Sequence, residues 1–255
     1  MTFLTFLLTF FIISPASPDT PDKNLHEKCL YPTIMIEYAD NGIGTGIILR
    51  SEKVSDNNYR NVFVTCAHVV DMYSSHTVRV FNYKNWSDIN TSSQFNARIF
   101  AMDDDRDLAI GVFYSDKQMA VGELDFNAKI FTGNDVFRIG CGAGEEPRLD
   151  YGKITSVNTG YSRINGYLRT SIPTIPGDSG SPVFNNYKIV GIMRAIALQH
   201  DKMVHFISYA VHVRKLQEWN NENNDSLSFA WNGNEIPRLS FHQLDFFNSY
   251  SIEAR

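Results

Sequence analysis

The sequence predicts an all-β protein, a barrel or a sandwich built from many short strands. From Tyr31 onward, short apolar runs alternate with turn residues at intervals that suit β-strands. Long stretches with the 3.6-residue period of helices are almost absent. With 255 residues, 43% hydrophobic and 20% charged, the chain is long enough for one large all-β domain or two small ones.

Twelve segments have the composition of strands, and one has the period of a helix. The predicted helix covers Val211–Asn220, because Val213, Leu216 and Trp219 fall on one helical face. The predicted strands are Thr33–Tyr38, Gly46–Arg50, Asn61–Thr65, Thr77–Asn82, Phe95–Ala101, Leu108–Tyr114, Asp135–Gly140, Leu149–Val157, Tyr167–Ser171, Pro182–Phe184, Lys188–Met193 and His205–Ala210.

Both ends of the chain differ from this pattern. The apolar run Phe3–Ile13, followed by Ser14-Pro15-Ala16, predicts a signal peptide over residues 1–16 and therefore export to the periplasm or the extracellular space. The run is shorter than the roughly 20 residues that span a bilayer, but no Lys or Arg precedes it, so a retained N-terminal anchor is the alternative. Residues 17–30 are predicted to be a linker and residues 31–220 the main domain. Residues 221–255 form a tail too short for a second domain, either packed or loose.

Charge and cysteine content exclude several function classes. A net charge of -5 gives no basic patch for nucleic acid, and nothing indicates a membrane partner beyond the anchor alternative. The three cysteines leave at least one thiol unpaired, and we expect Cys66 and Cys141 to be buried inside strands. No Cys-x-x-Cys or His-x-x-x-His pair is present, so we predict no metal and no cofactor.

The segment from Pro176 to Val183 places Ser179 between glycines, just before an apolar strand. A serine hydroxyl is a poor nucleophile, so catalysis would need a nearby base and hydrogen-bond donors for the oxyanion that it creates. Glycines let the backbone turn sharply and direct N–H groups into that space. The N–H groups of Gly177 and Ser179, with Asp178 between them, are therefore the predicted oxyanion hole.

A base and its orienting carboxylate precede this serine along the chain. His68 follows the apolar run that ends at Thr65, and Asp107 stands directly before Leu108-Ala109-Ile110. By itself, His68 would be interpreted as a core residue and the acidic run around Asp107 as a solvated loop. The order His, Asp, Ser instead predicts that His68 takes the proton of Ser179 while Asp107 holds the imidazole in the useful tautomer.

These motifs resemble the chymotrypsin-fold, trypsin-like serine proteases, and among them most of all the HtrA-like branch. The resemblance runs from about Thr33 to Leu216 and includes 44–49, 63–70, 107–110, 152–157, 170–182, 188–192 and 206–211. It implies two six-stranded antiparallel β-barrels, a triad in the cleft between them and a short C-terminal helix. The implied activity is a serine endopeptidase that acts on protein or peptide substrates through an acyl-enzyme. The oligomeric state stays open.

The chain departs from the family in three respects. The tail cannot be the PDZ domain of typical HtrA-like chains, and no Ile-Val-Gly-Gly segment supplies the amine that usually pairs with Asp178. Arg194 replaces a small residue near the catalytic aspartate and could compete with His68 for Asp107. The resemblance places a small, mostly apolar substrate pocket, and hence cleavage after small or medium apolar residues, at Pro173, Thr174, Met193, Arg194, Ala195 and Ser208.

The sequence allows two alternatives to the protease to be compared with it, a peptide-binding module and a lipase or esterase. A catalytically silent protease-like fold could bind peptides as an added strand, and Arg194 favours this reading. A lipase or esterase would carry its serine in the motif Gly-x-Ser-x-Gly. This motif is absent around Ser179, because Ser181 occupies the last position, and the order of the triad residues is also wrong for that class.

Overall fold

A computed structural model describes residues 21–38, 42–70, 75–157, 166–199, 202–224 and 226–232. For 195–199 and 202–206 only the backbone is described. The predicted signal peptide (1–16) and the tail beyond residue 232 lie outside the described residues.

Twelve strands in the described part of the chain form two closed antiparallel barrels of six strands each, which confirms the predicted fold class. The first barrel has the strand order β1-β2-β3-β6-β5-β4 and the second β10-β11-β12-β9-β8-β7. The strands of the first are β1 (Thr33–Tyr38), β2 (Gly42–Ser55), β3 (Asn58–Thr65), β4 (His76–Asn85), β5 (Asp88–Asp103) and β6 (Leu108–Ser115). Those of the second are β7 (Asp135–Gly140), β8 (Arg148–Val157), β9 (Tyr167–Thr170), β10 (Pro182–Asn185), β11 (Lys188–Gln199) and β12 (Lys202–His212).

The alternation of apolar residues along the strands fills both barrels, as the period of two requires. The register of β3 against β6 also positions the predicted catalytic residues. Thr65, the last residue of β3, pairs with Ala109 near the start of β6. His68 follows β3 and Asp107 precedes β6, so this pairing brings both to the same end of the first barrel.

The structure corrects the predicted helix. The only α-helix in the described residues, α1, covers Arg214–Glu222 rather than Val211–Asn220. Val211 pairs with Tyr167 and His212 with Gly191, so both belong to β12. Sheet pairing outweighs the helical period at these two residues.

The predicted linker and tail are partly folded onto the body of the protein. Leu25–Leu30 forms a π-helical segment in which His26 and Cys29 are buried, so the linker prediction is wrong for these residues. On the tail side, Phe229 is buried with its ring centroid 4.7 Å from that of Phe100, and its carbonyl accepts a hydrogen bond from Arg50. The folded unit therefore extends on both sides of the predicted 31–220 domain.

All three cysteines are buried free thiols. Burial raises the pKa of Cys29 and Cys141 to about 12, so both stay protonated at neutral pH. No helix in the described part of the chain is long and apolar enough to cross a membrane.

Candidate active site

His68 and Asp107 form the most direct contact of the site. The His68 Nδ1 atom lies 2.9 Å from both carboxylate oxygens of Asp107, and the backbone N–H of His68 donates to Asp107 Oδ1 at 2.9 Å. The His68 side chain is 48% exposed while that of Asp107 is 4% exposed. The carboxylate thus binds the Nδ1 edge of an imidazole that is itself half exposed.

The environment of Asp107 keeps it ionised. Burial alone would raise the pKa of its carboxyl, but the hydrogen bonds from His68 and the charge of Arg194 hold that pKa below its usual value. The backbone at Asp107 is left-handed, with φ of 56°, a conformation that aspartate tolerates better than most residues. This turn directs the side chain back toward His68 before β6 begins.

Two glycines shape the loop around Ser179. Gly180 has φ of 87°, and a Cβ there would lie 1.9 Å from the carbonyl oxygen of Thr45. Gly177 has φ of 97°, and a Cβ there would lie 2.9 Å from the Ala143 nitrogen. Only glycine satisfies both the left-handed backbone and these close approaches.

The two predicted oxyanion donors are free in the described structure. Asp178 N–H donates to the Ile175 carbonyl at 3.0 Å, and Gly180 N–H donates to the Met193 carbonyl at 2.7 Å. The N–H groups of Gly177 and Ser179 have no acceptor among the described residues. An oxyanion hole requires such unpaired donors close to the serine that attacks.

Thr45 fixes the serine loop against the first barrel, a role that the sequence analysis missed. Its N–H donates to the Ser179 carbonyl and its hydroxyl to the Gly177 carbonyl, both at 2.8 Å. The same hydroxyl accepts from Cys141 N–H at 2.9 Å. The only signal in the sequence is a polar residue between two glycines in an otherwise apolar strand.

Arg138 supplies the cation that the sequence analysis found lacking at Asp178. Its guanidinium lies 2.5 Å from the Asp178 carboxylate, and both side chains are 0% exposed. It also donates to the Pro173 carbonyl from two nitrogens and contacts Asp150. Burial raises the pKa of Asp178 although Arg138 opposes this, and burial lowers the pKa of Arg138. For Asp178 and for Arg138, the cost of burying the charge exceeds the attraction between the two charges. The ion pair therefore fixes the position of the loop and adds little stability.

Arg194 competes with His68 for Asp107, as the sequence analysis anticipated. Its Nε lies 2.9 Å from Asp107 Oδ2, the oxygen that also contacts the imidazole. The rest of the guanidinium donates to the Tyr167 hydroxyl and lies 5.1 Å from the centre of that ring. Arg194 therefore lies on the aspartate side of the site rather than in the predicted substrate pocket.

Ser179 is not bonded to His68 in this structure. Its hydroxyl donates to the backbone carbonyl of Arg194 at 3.2 Å, and among the described residues no hydrogen bond joins it to the imidazole. Hydrogen bonds in unliganded active sites are often long or misaligned and tighten only when substrate binds.

The other predicted pocket residues are mostly enclosed. Met193 and Ser208 are 0% exposed, and the Ser208 hydroxyl bonds to Thr170 at 2.6 Å. Pro173 and Thr174 are half-buried, and the side chain of Ala195 lies outside the described residues. Met193 and Ser208 therefore present no surface to a substrate in this structure.

Cys66 lies close to His68 and Asp107. Potential metal-ligating atoms of Cys66, His68 and Asp107 lie within 4.8 Å of one another. Burial raises the pKa of the Cys66 thiol well above its usual value, and the thiol donates to the Met193 carbonyl at 3.1 Å. A protonated thiol and a carboxylate already paired with Arg194 form a poor cation site.

Comparison with known proteins agrees with this architecture. A model of the trypsin-like peptidase domain matches residues 44–192, and the chain belongs to that family. The crystal structure of Deg5 is similar in fold, with a TM-score of 0.59, 20% identity, and coverage of 76% of this chain and 90% of that one. The serine endoprotease from Yersinia pestis gives a TM-score of 0.59, 19% identity, and coverage of 81% and 68%. A search of curated protein sequences found no match.

Proposed function

We propose that this protein is a serine endopeptidase in which Ser179 attacks the carbonyl carbon, His68 accepts its proton and Asp107 stabilises the resulting imidazolium. The observation that carries the proposal is the His68–Asp107 contact at 2.9 Å, together with a serine loop in which the N–H groups of Gly177 and Ser179 have no acceptor among the described residues. His68 would then return the proton to the leaving amine, which leaves an acyl-enzyme that water hydrolyses.

This chemistry requires one change at the nucleophile. Ser179 must release the carbonyl of Arg194 and donate to His68 Nε2 instead. Membership of the trypsin-like peptidase family and a fully organised His–Asp pair support the proposal.

A fluorophosphonate probe tests the proposal directly, because the Ser179 oxygen would form a bond to phosphorus and expel fluoride. We expect labelling of the parent and none of Ser179→Ala. Ser181→Ala is the matched control, because this neighbouring serine is buried and its hydroxyl has no hydrogen-bond partner in the described structure. It should be labelled like the parent.

A folded parent that resists the probe would favour the second candidate, a silent protease-like module that binds peptides. The Ser179–Arg194 bond and the shared carboxylate of Asp107 are the observations that favour it. A peptide that binds equally to the parent and to Ser179→Ala without being cut would establish this function.

For specificity, we propose cleavage after small or medium apolar residues. The half-buried Pro173 and Thr174 carry no charge, and the guanidinium of Arg194 is engaged with Asp107 and Tyr167. A peptide library cut mainly after Lys, Arg, Asp or Glu would refute this preference. Export, proposed on the sequence of residues 1–16, is tested by the N-terminal sequence of the protein recovered from the medium.

A further inference from the structure

A cavity of about 620 Å³ lies in the second barrel, between the start of α1 and the segment that precedes β7. It shares no lining residue with the smaller cavity at His68, Asp107 and Arg194. The two cavities are linked through Tyr167, which lines the larger one and accepts a hydrogen bond from Arg194 of the smaller one.

His212, the last residue of β12, contributes a buried donor to this cavity. The ring is 8% exposed, and its Nδ1 accepts a hydrogen bond from the Arg214 N–H at 3.1 Å. Burial, aided by the charge of Arg214, lowers the pKa of His212 to about 4, so the ring is neutral at neutral pH. A neutral ring whose Nδ1 accepts carries its proton on Nε2.

No described residue accepts a hydrogen bond from His212 Nε2, although the ring borders the cavity. The Nε2 donor therefore faces the cavity, where a ligand can accept its hydrogen bond.

The charges around the cavity favour an anionic acceptor. Lys129, Arg214 and Lys215 line it against one carboxylate, Glu218, which is already paired with Lys215. The guanidinium of Arg214 donates to the carbonyls of residues 126 and 128, and no carboxylate contacts it or Lys129 among the described residues. Among the described residues, the charges of Lys129 and Arg214 are therefore not neutralised by a carboxylate.

The start of α1 adds to this field. Arg214 is its first residue, and the N-cap residue Val213 provides no side-chain hydrogen bond. The first N–H groups of a helix carry a partial positive charge that stabilises anions nearby. The remaining wall is apolar and includes Ile130, Phe131 and Val157, with Phe131 62% exposed.

We propose that this cavity binds the carboxylate of a small ligand that also carries an apolar group. The carboxylate accepts from His212 Nε2 and lies near Lys129 and Arg214, while the apolar group contacts Phe131 and Val157. The site does not depend on the peptidase activity, and the two proposals fail separately.

Calorimetric titration of the full chain with 3-phenylpropionate tests the proposal. We expect the carboxylate to bind at least about tenfold more tightly than 3-phenylpropanamide, which has the same shape and no charge, and more tightly than sulfate, which lacks the apolar group. Equal binding of the amide overturns the anion site, and equal binding of sulfate overturns the apolar half. No binding at millimolar concentrations overturns both.

Three variants locate the binding. His212→Asn keeps an acceptor for the Arg214 N–H but removes the Nε2 donor, and should weaken binding about tenfold. Lys129→Gln should weaken it about threefold, since this charge is exposed. Lys84→Gln, an exposed lysine of the first barrel, is the matched control and should bind like the parent. If His212→Asn does not fold, equal affinities of the two lysine variants still overturn the proposal.

Discussion

Replacing Arg138 by Met tests how the serine loop is held. The substitution removes the nearest cation from the fully buried Asp178 carboxylate and leaves only Arg148, which is 38% exposed and 3.8 Å away. Breaking a buried ion pair on one side typically costs about 3–5 kcal/mol. At about 2–4 °C per kcal/mol for a chain of this size, the melting temperature should fall by roughly 10 °C.

The pH dependence of the stability loss in Arg138→Met shows whether the loss comes from the buried charge of Asp178 or from poorer packing. Burial already raises the pKa of Asp178 and Arg138 opposes it, so the variant should raise that pKa further. A carboxyl whose folded pKa is raised stabilises the protein most when protonated, and that contribution is lost as pH rises. The destabilisation should therefore be small near the ordinary aspartate pKa of about 3.9 and grow toward neutral pH.

The double variant Arg138→Met/Asp178→Asn is the control. It removes the buried charge, so it should regain much of the stability and lose the pH dependence. A deficit of about 1–2 kcal/mol should remain because the hydrogen bonds to Pro173 are gone. Urea denaturation at several pH values measures both variants. A single variant that loses as much stability at pH 4 as at pH 7, or a double variant no more stable than the single one, would refute the reasoning.

Three further substitutions probe the site, the first two through kcat/KM with circular dichroism as the check of folding and the third through stability. Asp107→Asn should lower kcat/KM about 10⁴-fold because His68 loses its orienting carboxylate, and a loss below tenfold would contradict the proposed roles. Arg194→Ser should raise kcat/KM roughly three- to tenfold, since a cation 2.9 Å from Asp107 opposes the imidazolium; a fall would show that Arg194 assists catalysis. Thr45→Val removes the bond to the Gly177 carbonyl and should cost about 1–3 kcal/mol of stability in urea denaturation, so an unchanged midpoint would contradict its role.

The sequence predicted every strand of the two barrels and the bounds of β1 and β7, but not the full lengths of several others. β2 begins at Gly42 and ends at Ser55, well beyond the predicted Gly46–Arg50, and β5 begins at Asp88 rather than Phe95. The added residues of β5 are mostly exposed polar residues, paired with β4 in a hairpin. A strand exposed on both faces has no apolar alternation, so its backbone pairing leaves no pattern in the sequence.

The sequence also identified the residues that carry the proposed chemistry, because each is followed or preceded by an apolar strand. It missed Arg138 and Thr45, which position those residues rather than react. Along the sequence, Arg138 of β7 is 40 residues from Asp178, and Thr45 is 132 residues from Gly177. Partners so distant come together only through barrel closure, which local patterns do not encode.

Arg194 contacts both ends of the proposed triad, through chemically different parts. Its guanidinium binds Asp107, whereas its backbone carbonyl accepts from the Ser179 hydroxyl at 3.2 Å. Substitution to serine removes the first contact and keeps the second, because every residue has a carbonyl. A change in rate in Arg194→Ser therefore reports the loss of the guanidinium, with its contacts to Asp107 and Tyr167, and not the loss of the carbonyl. If the rate does not change, the bond between Ser179 and the carbonyl is the feature that holds this site in its present arrangement.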